Sequence, residues 1–258
     1  MQIAVVQKRQ RNILASLLVI SALSYLAMQL TDFNMFDALS AFPNALIWML
    51  TQFYPNAESL SNLPSILVNL QETVLLAIAT TTTAAVLALA FALTDTRQNV
   101  KLEWFMKFIA SIFRNIPDIV WAIVLLLTFG QNIVAGFFAL FFATFGFLIR
   151  AFSEAIAESG RSSIEALEAS GASYCQVVFQ AIIPSCITQI ITWVLYMVET
   201  NIRSSTLVGI LTGTGIGNLF NLYYKSFDYH SASLVVIMLI AVILTLEFVS
   251  NYVRRAIL

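Results

Sequence analysis

The chain has 258 residues, of which 59% are hydrophobic and only 10% are charged, whereas an ordinary soluble domain carries about 25% charged residues. Its 13 basic and 14 acidic residues nearly cancel, so the chain has no net positive field with which to attract nucleic acid. This composition excludes a soluble enzyme, a nucleic-acid-binding protein and a disordered protein, and it indicates a polytopic membrane protein whose helices face membrane lipid.

Charge-free runs predict two membrane spans in the first part of the chain, since about 20 apolar residues cross a bilayer as a helix. Span 1 is predicted at 12–31 and span 2 at 73–94. Residues 32–65 contain acidic residues and prolines, so they are predicted to form a long connection that does not cross the membrane. The apolar middle of this connection suits the membrane interface. Residues 95–114 are predicted to form a charged connection.

Four further spans are predicted in the second part of the chain. The run 119–149 carries no charge, and it is long for one helix but short for two. Because Gly130, Gln131 and Asn132 interrupt it near the middle, we expect two short spans. The predicted spans are 116–130, 133–150, 185–203 and 229–246, with a polar helical segment at 151–184 and a Gly-rich stretch at 205–222.

The basic residues support six spans with both termini in the cytoplasm, because Lys and Arg collect in cytoplasmic loops. With this topology only Arg203 and Lys225 lie elsewhere, whereas a single span over 119–149 would divide the basic residues between the two sides. The predicted cytoplasmic set is Lys8, Arg9, Arg11, Arg97, Lys101, Lys107, Arg114, Arg150, Arg161, Arg254 and Arg255.

The predicted cytoplasmic loop between spans 4 and 5 carries the most informative pattern. Glu165 and Glu168 lie one helical turn apart on one face, and Ala166 lets another backbone approach closely. Gly171 follows as a break and Pro184 as a stop, so the pattern predicts two consecutive helices. A helical elbow on the cytoplasmic face suits docking into a groove of a partner.

This loop resembles the EAA loop of bacterial ABC importer permeases, in which Glu-Ala-Ala is followed by three residues, Gly, nine residues and Ile-x-Leu-Pro. Glu165, Ala166, Gly171 and Pro184 match that pattern in identity and spacing. The departures are all apolar: Leu167, Ala181 and Ile183. The resemblance implies an all-α, type I ABC importer permease fold, and the alternative is an incidental amphipathic loop in another kind of transporter.

In that family the loop is a coupling helix that sits in a cleft of a separate ATPase subunit. The resemblance implies this contact for Glu165, Ala166, Glu168, Gly171 and Pro184. Two ATPases need two loops and the chain has one, so we expect a homodimer with the pore at the subunit interface. The sequence contains no G-x-x-x-x-G-K-[ST], so ATP and Mg²⁺ are expected on the partner ATPase. We therefore expect a transport subunit with no catalytic residue, no metal site and no cofactor of its own.

A polar stretch closes span 5. Glu199 and Arg203 are spaced i, i+4 in the favourable orientation for a helical ion pair, which is either a part of the transport path or a self-neutralised structural anchor. The run of Gly213, Gly215 and Gly217 has no preceding strand, so it is not a nucleotide fingerprint. We expect these glycines to form a tight re-entrant turn between helices.

The same stretch, from Glu199 to Gly217, resembles the phosphonate-transport permease family, and so does the Arg-Asn-Ile-Pro-Asp run that starts at Arg114. The resemblance covers 64–255. It implies ATP-driven import of phosphonate or a related phosphorus oxyanion, such as phosphite, together with a separate extracytoplasmic binding protein. The residues expected along the translocation path are Glu199, Asn201, Arg203, Ser204 and Ser205.

Two other functions stay open on the sequence alone. One is a permease of the same architecture for another small solute, such as methionine. The other is an ion-coupled secondary transporter, which predicts ionisable residues deep in several spans and an inverted repeat, and the sequence offers little of either. In each case we expect 1–258 to form a single transmembrane domain in the bacterial cytoplasmic (inner) membrane, with no nucleic-acid partner.

Overall fold

The computed structural model describes residues 2–95, 100–159 and 161–257, and it describes their side chains except in 2–8, 95, 100–103, 159, 161–163 and 257. Within these ranges every regular element is helical. The helices are α1 (Gln2–Leu30), α2 (Met35–Gln52), α3 (Leu63–Asp95), α4 (Val100–Asn115), α5 (Asp118–Phe129), α6 (Ile133–Ser159), α7 (Arg161–Ala169), α8 (Tyr174–Val177), α9 (Ile183–Thr212), α10 (Gly215–Lys225) and α11 (Tyr229–Ile257). Of the residues predicted to be cytoplasmic, Arg97 and the side chains of Lys8, Lys101 and Arg161 lie outside the described part.

The chain forms two compact units, Met1–Phe53 and Tyr54–Leu258. The single domain predicted over 1–258 therefore stays a prediction. The first unit contains α1 and α2. Asn34 caps α2, since its side-chain oxygen accepts a hydrogen bond from the backbone N–H of Phe36 at 3.0 Å.

In the second unit α6 is the central helix, because it contacts α3, α4, α5 and α9. Small residues on α3 face the core that α3 shares with α6. Ala84, Ala88 and Ala92 recur every fourth residue, and all three are fully buried. Small side chains at one face let two helices approach closely, as is typical of membrane bundles. The large side chains of this core, such as Phe152 and Leu148, come from α6.

Five helices or helical stretches in the described residues are long and apolar enough to cross a membrane. They include the regions predicted as spans 1, 2, 4, 5 and 6, and α3, α6, α9 and α11 are all longer than those predictions. A bent pair, Trp104–Asn115 and Asp118–Phe129, raises the number to six when it is counted as one span. The all-α polytopic fold is therefore confirmed.

The third span, predicted at 116–130, is not long enough by itself, and this region counts as a span only as part of the bent pair. Helix α5 has 12 residues and rises only about 18 Å, which is less than the ~30 Å hydrocarbon core of a bilayer. It follows α4 after a break at Pro117, where the helix direction turns by 89°. Proline disfavours helix at the residue before it and cannot donate to the preceding turn, so the helix stops and restarts there.

The charged connection predicted at 95–114 also needs correction, because most of it is helix α4. Met106 and Ala110 are buried one turn apart against the core, whereas Lys107 and Arg114, on the adjoining side of the helix, are exposed. The charges therefore mark one side of an amphipathic helix rather than an irregular connection.

Candidate functional site

The predicted coupling loop begins with the short surface helix α7. Its apolar side chains, Ile164 and Leu167, pack on the core that α3, α6 and α9 share. Glu165, Ala166 and Glu168 are exposed. Residues three apart lie on the same face of a helix, so the two carboxylates form one outward ridge. The structure thus gives α7 an inner apolar face and an outer acidic face.

A glycine cap ends α7. Gly171 has a left-handed φ of 80°, and its N–H donates to the Glu168 carbonyl at 3.0 Å. The Ala172 N–H donates back to the Leu167 carbonyl at 3.1 Å, which completes a Schellman-type cap. No atom lies within 4 Å of the point where a Cβ on Gly171 would be. The backbone conformation, and not a lack of space, is therefore what favours glycine there.

The second arm of the elbow is anchored to the bundle. Ser173 and Gln176 form a capping box at the start of α8, with the Ser173 N–H donating to Gln176 Oε1 at 2.8 Å. The Tyr174 hydroxyl donates to the backbone carbonyl of Leu93, near the end of α3. Helix α8 is therefore fixed against α3, while the outer face of α7 remains exposed.

Pro184 does not stop a helix, contrary to the sequence prediction. Helix α8 passes through a π-helical turn, Val178–Ile182, directly into α9, and Pro184 lies in the first turn of α9. In that turn the Ile183 N–H donates to the carbonyl of Val178, five residues back. Proline has no N–H and its ring crowds the carbonyl four residues earlier, so the wider turn accommodates it. The helical path is continuous over Tyr174–Thr212.

The ion pair predicted within span 5 is present. Arg203 Nη2 lies 3.0 Å from Glu199 Oε1 on α9. The Arg203 side chain is 51% exposed and the Glu199 side chain only 15% exposed. The Arg203 guanidinium therefore lies at the surface of the subunit, and the Glu199 carboxylate lies behind it.

Asn201 lies in the interior of the bundle and joins three helices. It is 2% exposed, and its Nδ2 donates to Thr81 Oγ1 of α3 at 2.8 Å and to Thr144 Oγ1 of α6 at 2.9 Å. Thr81 and Thr144 are fully buried. These two threonines could not be selected from the sequence, because their partner lies 120 and 57 residues away. We call this cluster of Asn201, Thr81 and Thr144 the amide hub.

The two serines predicted along the path differ in exposure. Ser204 is partly exposed beside Arg203, whereas Ser205 is buried and its hydroxyl donates to the Ile202 carbonyl at 2.9 Å. Such a bond back to the helix satisfies the hydroxyl. For Ser205 and Asn201 a role along the path stays a prediction, and their burial within one subunit argues against it.

The Gly-rich run forms a tight turn between α9 and α10, which we call the glycine hairpin (209–217). Gly213 ends α9 with a left-handed φ of 71°, and its N–H donates to the Gly209 carbonyl at 2.9 Å. A Cβ on Gly217 would collide with the carbonyl oxygen of Thr206. The backbones of the two helices therefore approach at a distance that only glycine permits.

Helix α3 holds the glycine hairpin in place. The N–H of Ile216 donates to Thr73 Oγ1 at 2.8 Å, and Thr73 in turn donates to the Asn69 carbonyl at 2.9 Å. Gly215 lies so close that a Cβ there would meet the Thr73 hydroxyl. Thr73 could not be selected from the sequence, since a threonine at the start of a predicted span usually bonds back to its own helix and gives no sign of a distant donor.

At the end of α10 a polar cluster joins the helix to α11. Burial raises the pKa of the Tyr223 phenol, and the nearby Asp228 carboxylate raises it further, while a hydrogen bond with Ser65 opposes both. The phenol is therefore neutral at physiological pH. The Nδ1 atom of His230, at the start of α11, lies 2.6 Å from the Tyr54 carbonyl oxygen.

The larger part of the chain matches a known protein family. Residues 84–258 match the family described as "Binding-protein-dependent transport system inner membrane component". The matched range begins within α3 and contains the elbow, the Glu199–Arg203 pair, Asn201 and the glycine hairpin.

Similar curated proteins carry names of phosphorus oxyanion permeases. A protein of Stutzerimonas stutzeri named as a phosphite transport system permease, HtxC, is 27% identical over 256 residues, which cover 98% of this chain and 89% of that protein. The Phosphate-import permease protein PhnE of Mycolicibacterium smegmatis is 26% identical over 153 residues, which cover 59% of this chain and 29% of that protein.

Solved structures with the same fold are also transporter subunits. A chain of the MetNI methionine ABC transporter, in an inward-facing conformation, superposes with a TM-score of 0.67 at 23% identity, covering 75% of this chain and 96% of that one. A bacterial ABC transporter that imports alginate superposes with a TM-score of 0.59 at 14% identity, covering 96% and 99%. These likenesses show the fold.

Proposed function

The chain belongs to the inner membrane components of binding-protein-dependent transport systems and is an ABC importer permease, and from this premise we propose that it imports a phosphorus oxyanion, namely a phosphonate or phosphite. The observation that carries the proposal is the similarity to HtxC over 98% of the chain, together with the exposed Arg203 in the stretch that resembles phosphonate permeases. The direction of transport is into the cytoplasm, across the bacterial inner membrane.

The Glu199–Arg203 pair suits a small, highly charged oxyanion. Guanidinium groups bind phosphorus oxyanions through charge-assisted hydrogen bonds, often two at once. Glu199 holds the Arg203 side chain and offsets part of its charge. Weak binding is what a translocation path requires, since the ligand must leave again. In this proposal Arg203, Glu199 and the partly exposed Ser204 line the path.

We further propose that the acidic ridge of α7 is the surface that contacts the ATPase. Glu165 and Glu168 are exposed, Ala166 allows close approach, and Gly171 sets the direction in which the chain leaves the helix. Pro184 acts at a distance, by shaping the π-helical turn that joins the elbow to α9. ATP and Mg²⁺ bind to the ATPase subunits in this scheme, and this chain supplies no nucleotide site.

The proposed assembly contains two copies of this chain, two ATPase subunits and an extracytoplasmic binding protein. One elbow per chain is the reason for two copies, because each ATPase needs one contact. Both termini lie in the cytoplasm, in keeping with the eleven basic residues that the six-span topology puts on that side.

Uptake into proteoliposomes that contain this chain, its ATPase and its binding protein tests the proposal. We expect ATP-dependent uptake of phosphite or an alkylphosphonate, and no uptake of methionine. Uptake of methionine alone would leave the importer class intact and refute the substrate. Uptake without ATP, driven by an ion gradient, would refute the coupling scheme as well.

Variants of the ion pair test the substrate site in the same assay. Arg203→Lys keeps the charge but loses the planar fork of donors, so uptake should fall about tenfold, which corresponds to one charge-assisted hydrogen bond of ~1.5 kcal/mol. Arg255→Lys, on the exposed last turn of α11, is the matched control and should transport normally. Normal transport by both Arg203→Lys and Glu199→Gln would remove the pair from the path.

A further inference from the structure

A cavity of about 580 Å³ lies between α4 and α6, in a part of the chain that the proposed transport scheme does not use. Its size falls within the ~300–1,000 Å³ that are typical of small-molecule sites. Helix α4 forms one wall and helix α6 the other. The polar groups of the lining are Lys107, Ser111, Arg114, Arg150, Ser153 and Glu154.

The lining is positively charged. Among the described residues of the lining, Lys107, Arg114 and Arg150 are cations and Glu154 is the one carboxylate, so their formal charge is +2. Glu154 is committed to Arg150, whose Nε lies 2.6 Å from its Oε1. Among residues 2–95, 100–159 and 161–257, none forms an ion pair or a hydrogen bond with the Arg114 guanidinium. The cavity therefore suits an anion with several acceptor oxygens.

The walls and the rim of the cavity are apolar. Ala110 and Ile149 line it behind the cations. Next to the basic face of α4, the side chains of Trp104, Phe105 and Phe108 are exposed, and the rings of Trp104 and Phe108 stack at 5.5 Å. Aromatic side chains of this kind collect at membrane interfaces, where acyl chains meet headgroups.

The direction of α4 fits the same location. The helix axis turns by 89° between α4 and α5, so the two helices cannot both stand upright in the bilayer, and the amphipathic α4 is the one that suits the membrane surface. An amphipathic helix in that position keeps its basic face at the headgroups and its aromatic face toward the acyl chains. Basic pockets between helices at the cytoplasmic side of a membrane are known to take lipid headgroups.

We propose that this cavity binds the phosphate of an anionic phospholipid, with the acyl chains along the aromatic face of α4. A lipid explains both halves of the site, since Arg114 and Lys107 meet the phosphodiester while Trp104 and Phe108 meet the chains. A free phosphate would use only the cations. An acidic segment of another protein would leave the exposed aromatic rings uncovered. The site is independent of the substrate that the transporter carries.

Native mass spectrometry of the chain with its ATPase subunits tests this site. Phosphatidylglycerol and cardiolipin should remain bound, and phosphatidylcholine should not. Removal of one cation near an anionic lipid costs about fivefold in affinity, so R114Q and K107Q should each weaken phosphatidylglycerol binding about fivefold. R255Q removes a charge of the same sign from the exposed end of α11 and should have little effect.

A second variant keeps the test decisive if R114Q fails to fold. Ala157 is an exposed residue of the cavity lining, so A157E adds an anion there without disturbing the core, and it should repel anionic lipid to the same extent. Retention of phosphatidylcholine equal to that of phosphatidylglycerol would overturn the proposal. A loss of phosphatidylglycerol from R255Q equal to that from R114Q would also overturn it. Displacement of the lipid by millimolar inorganic phosphate would assign the cavity to a soluble anion. Loss of the ATPase from R114Q, with lipid retention unchanged, would assign it to a protein contact.

Discussion

The elbow of α7 and α8 and the glycine hairpin are joined by one helical path, Tyr174–Thr212, and they are held in contrasting ways. The elbow is capped by its own neighbours, through bonds such as that from Gly171 to Glu168, and it leaves an acidic face exposed. The hairpin is closed by a residue far along the chain, since Ile216 bonds to Thr73, 143 residues away. The exposed elbow is thus held by local caps, whereas the helix junction is held by close tertiary contact.

This contrast predicts different results of substitution at the two ends. A change on the outer face of the elbow should alter function and leave the fold intact, because few contacts depend on it. A change in the hairpin or in the amide hub should alter stability first, because buried backbones and hydrogen bonds cannot rearrange at low cost.

The largest effect is expected from Gly217→Ala. The new Cβ would collide with the Thr206 carbonyl, which belongs to a helix backbone, so α9 and α10 must separate. Overpacking of this kind costs ~1–3 kcal/mol or more, and we expect most of the folded protein to be lost. Size-exclusion chromatography of the detergent-extracted protein measures the folded yield. Gly136→Ala is the matched control, because the three atoms nearest to its Cβ would belong to side chains, the nearest being that of Thr212 at 3.4 Å. A normal yield of Gly217→Ala would contradict the hairpin geometry.

Glu165→Arg should give the next largest effect, and only on function. Reversal of this exposed charge on α7 should lower ATP-dependent uptake about tenfold or more, because a partner contact of ~1.4 kcal/mol or more is lost. The thermal midpoint should not move, since exposed positions change stability by less than ~0.5 kcal/mol. Glu247→Arg, an exposed change on α11, serves as the control. Unchanged uptake and unchanged ATPase association would remove Glu165 from the coupling surface.

Asn201→Leu should destabilise the bundle by ~1–3 kcal/mol. It removes the amide that joins Thr81 and Thr144, and interhelical hydrogen bonds in membranes are worth ~0.6 to 2 kcal/mol each. Unfolding in a series of detergent mixtures measures the change. Asn251→Leu, on an exposed position of α11, should be close to neutral. A hub variant as stable as the native chain would show that helices α3, α6 and α9 do not depend on this polar cluster.

The smallest effect is expected from Tyr174→Phe, which removes the hydroxyl that bonds to the Leu93 carbonyl. One net hydrogen bond is worth ~0.5–1.5 kcal/mol, so the thermal midpoint should fall slightly. If the elbow must be fixed to α3 in order to act, uptake should fall more than stability does. Tyr252→Phe, an exposed change on α11, controls for loss of a phenol. Equal thermal midpoints of the two variants would mean that the Tyr174–Leu93 hydrogen bond contributes nothing to stability.

The elbow could be predicted from sequence because its determinants are local. Glu165 and Gly171 stand at the spacing of a helix and its cap, and the cap bonds reach back at most five residues. The amide hub could not be predicted in this way. Periodicity shows that α3, α6 and α9 have apolar faces, but it does not show that Asn201 meets Thr81 and Thr144.

Two errors of prediction have a common physical cause, which is that a single residue type was taken to end or exclude a helix. Pro184 is compatible with a continuous helix because a widened π-helical turn precedes it. The charges of 95–114 are compatible with helix α4 because the described ones, Lys107 and Arg114, lie on its exposed side. In both cases the neighbouring helices determine whether the segment is helical, and a sequence pattern does not show where those helices lie.

The continuity of α8, the π-helical turn and α9 has a mechanical consequence. The 39-residue path Tyr174–Thr212 is at most about 58 Å long at 1.5 Å per residue, roughly twice the ~30 Å hydrocarbon core of a bilayer. A displacement of α8 therefore reaches the glycine hairpin through one run of helical backbone, with no loop between them. The π-helical turn is the place in this path where a bend is expected.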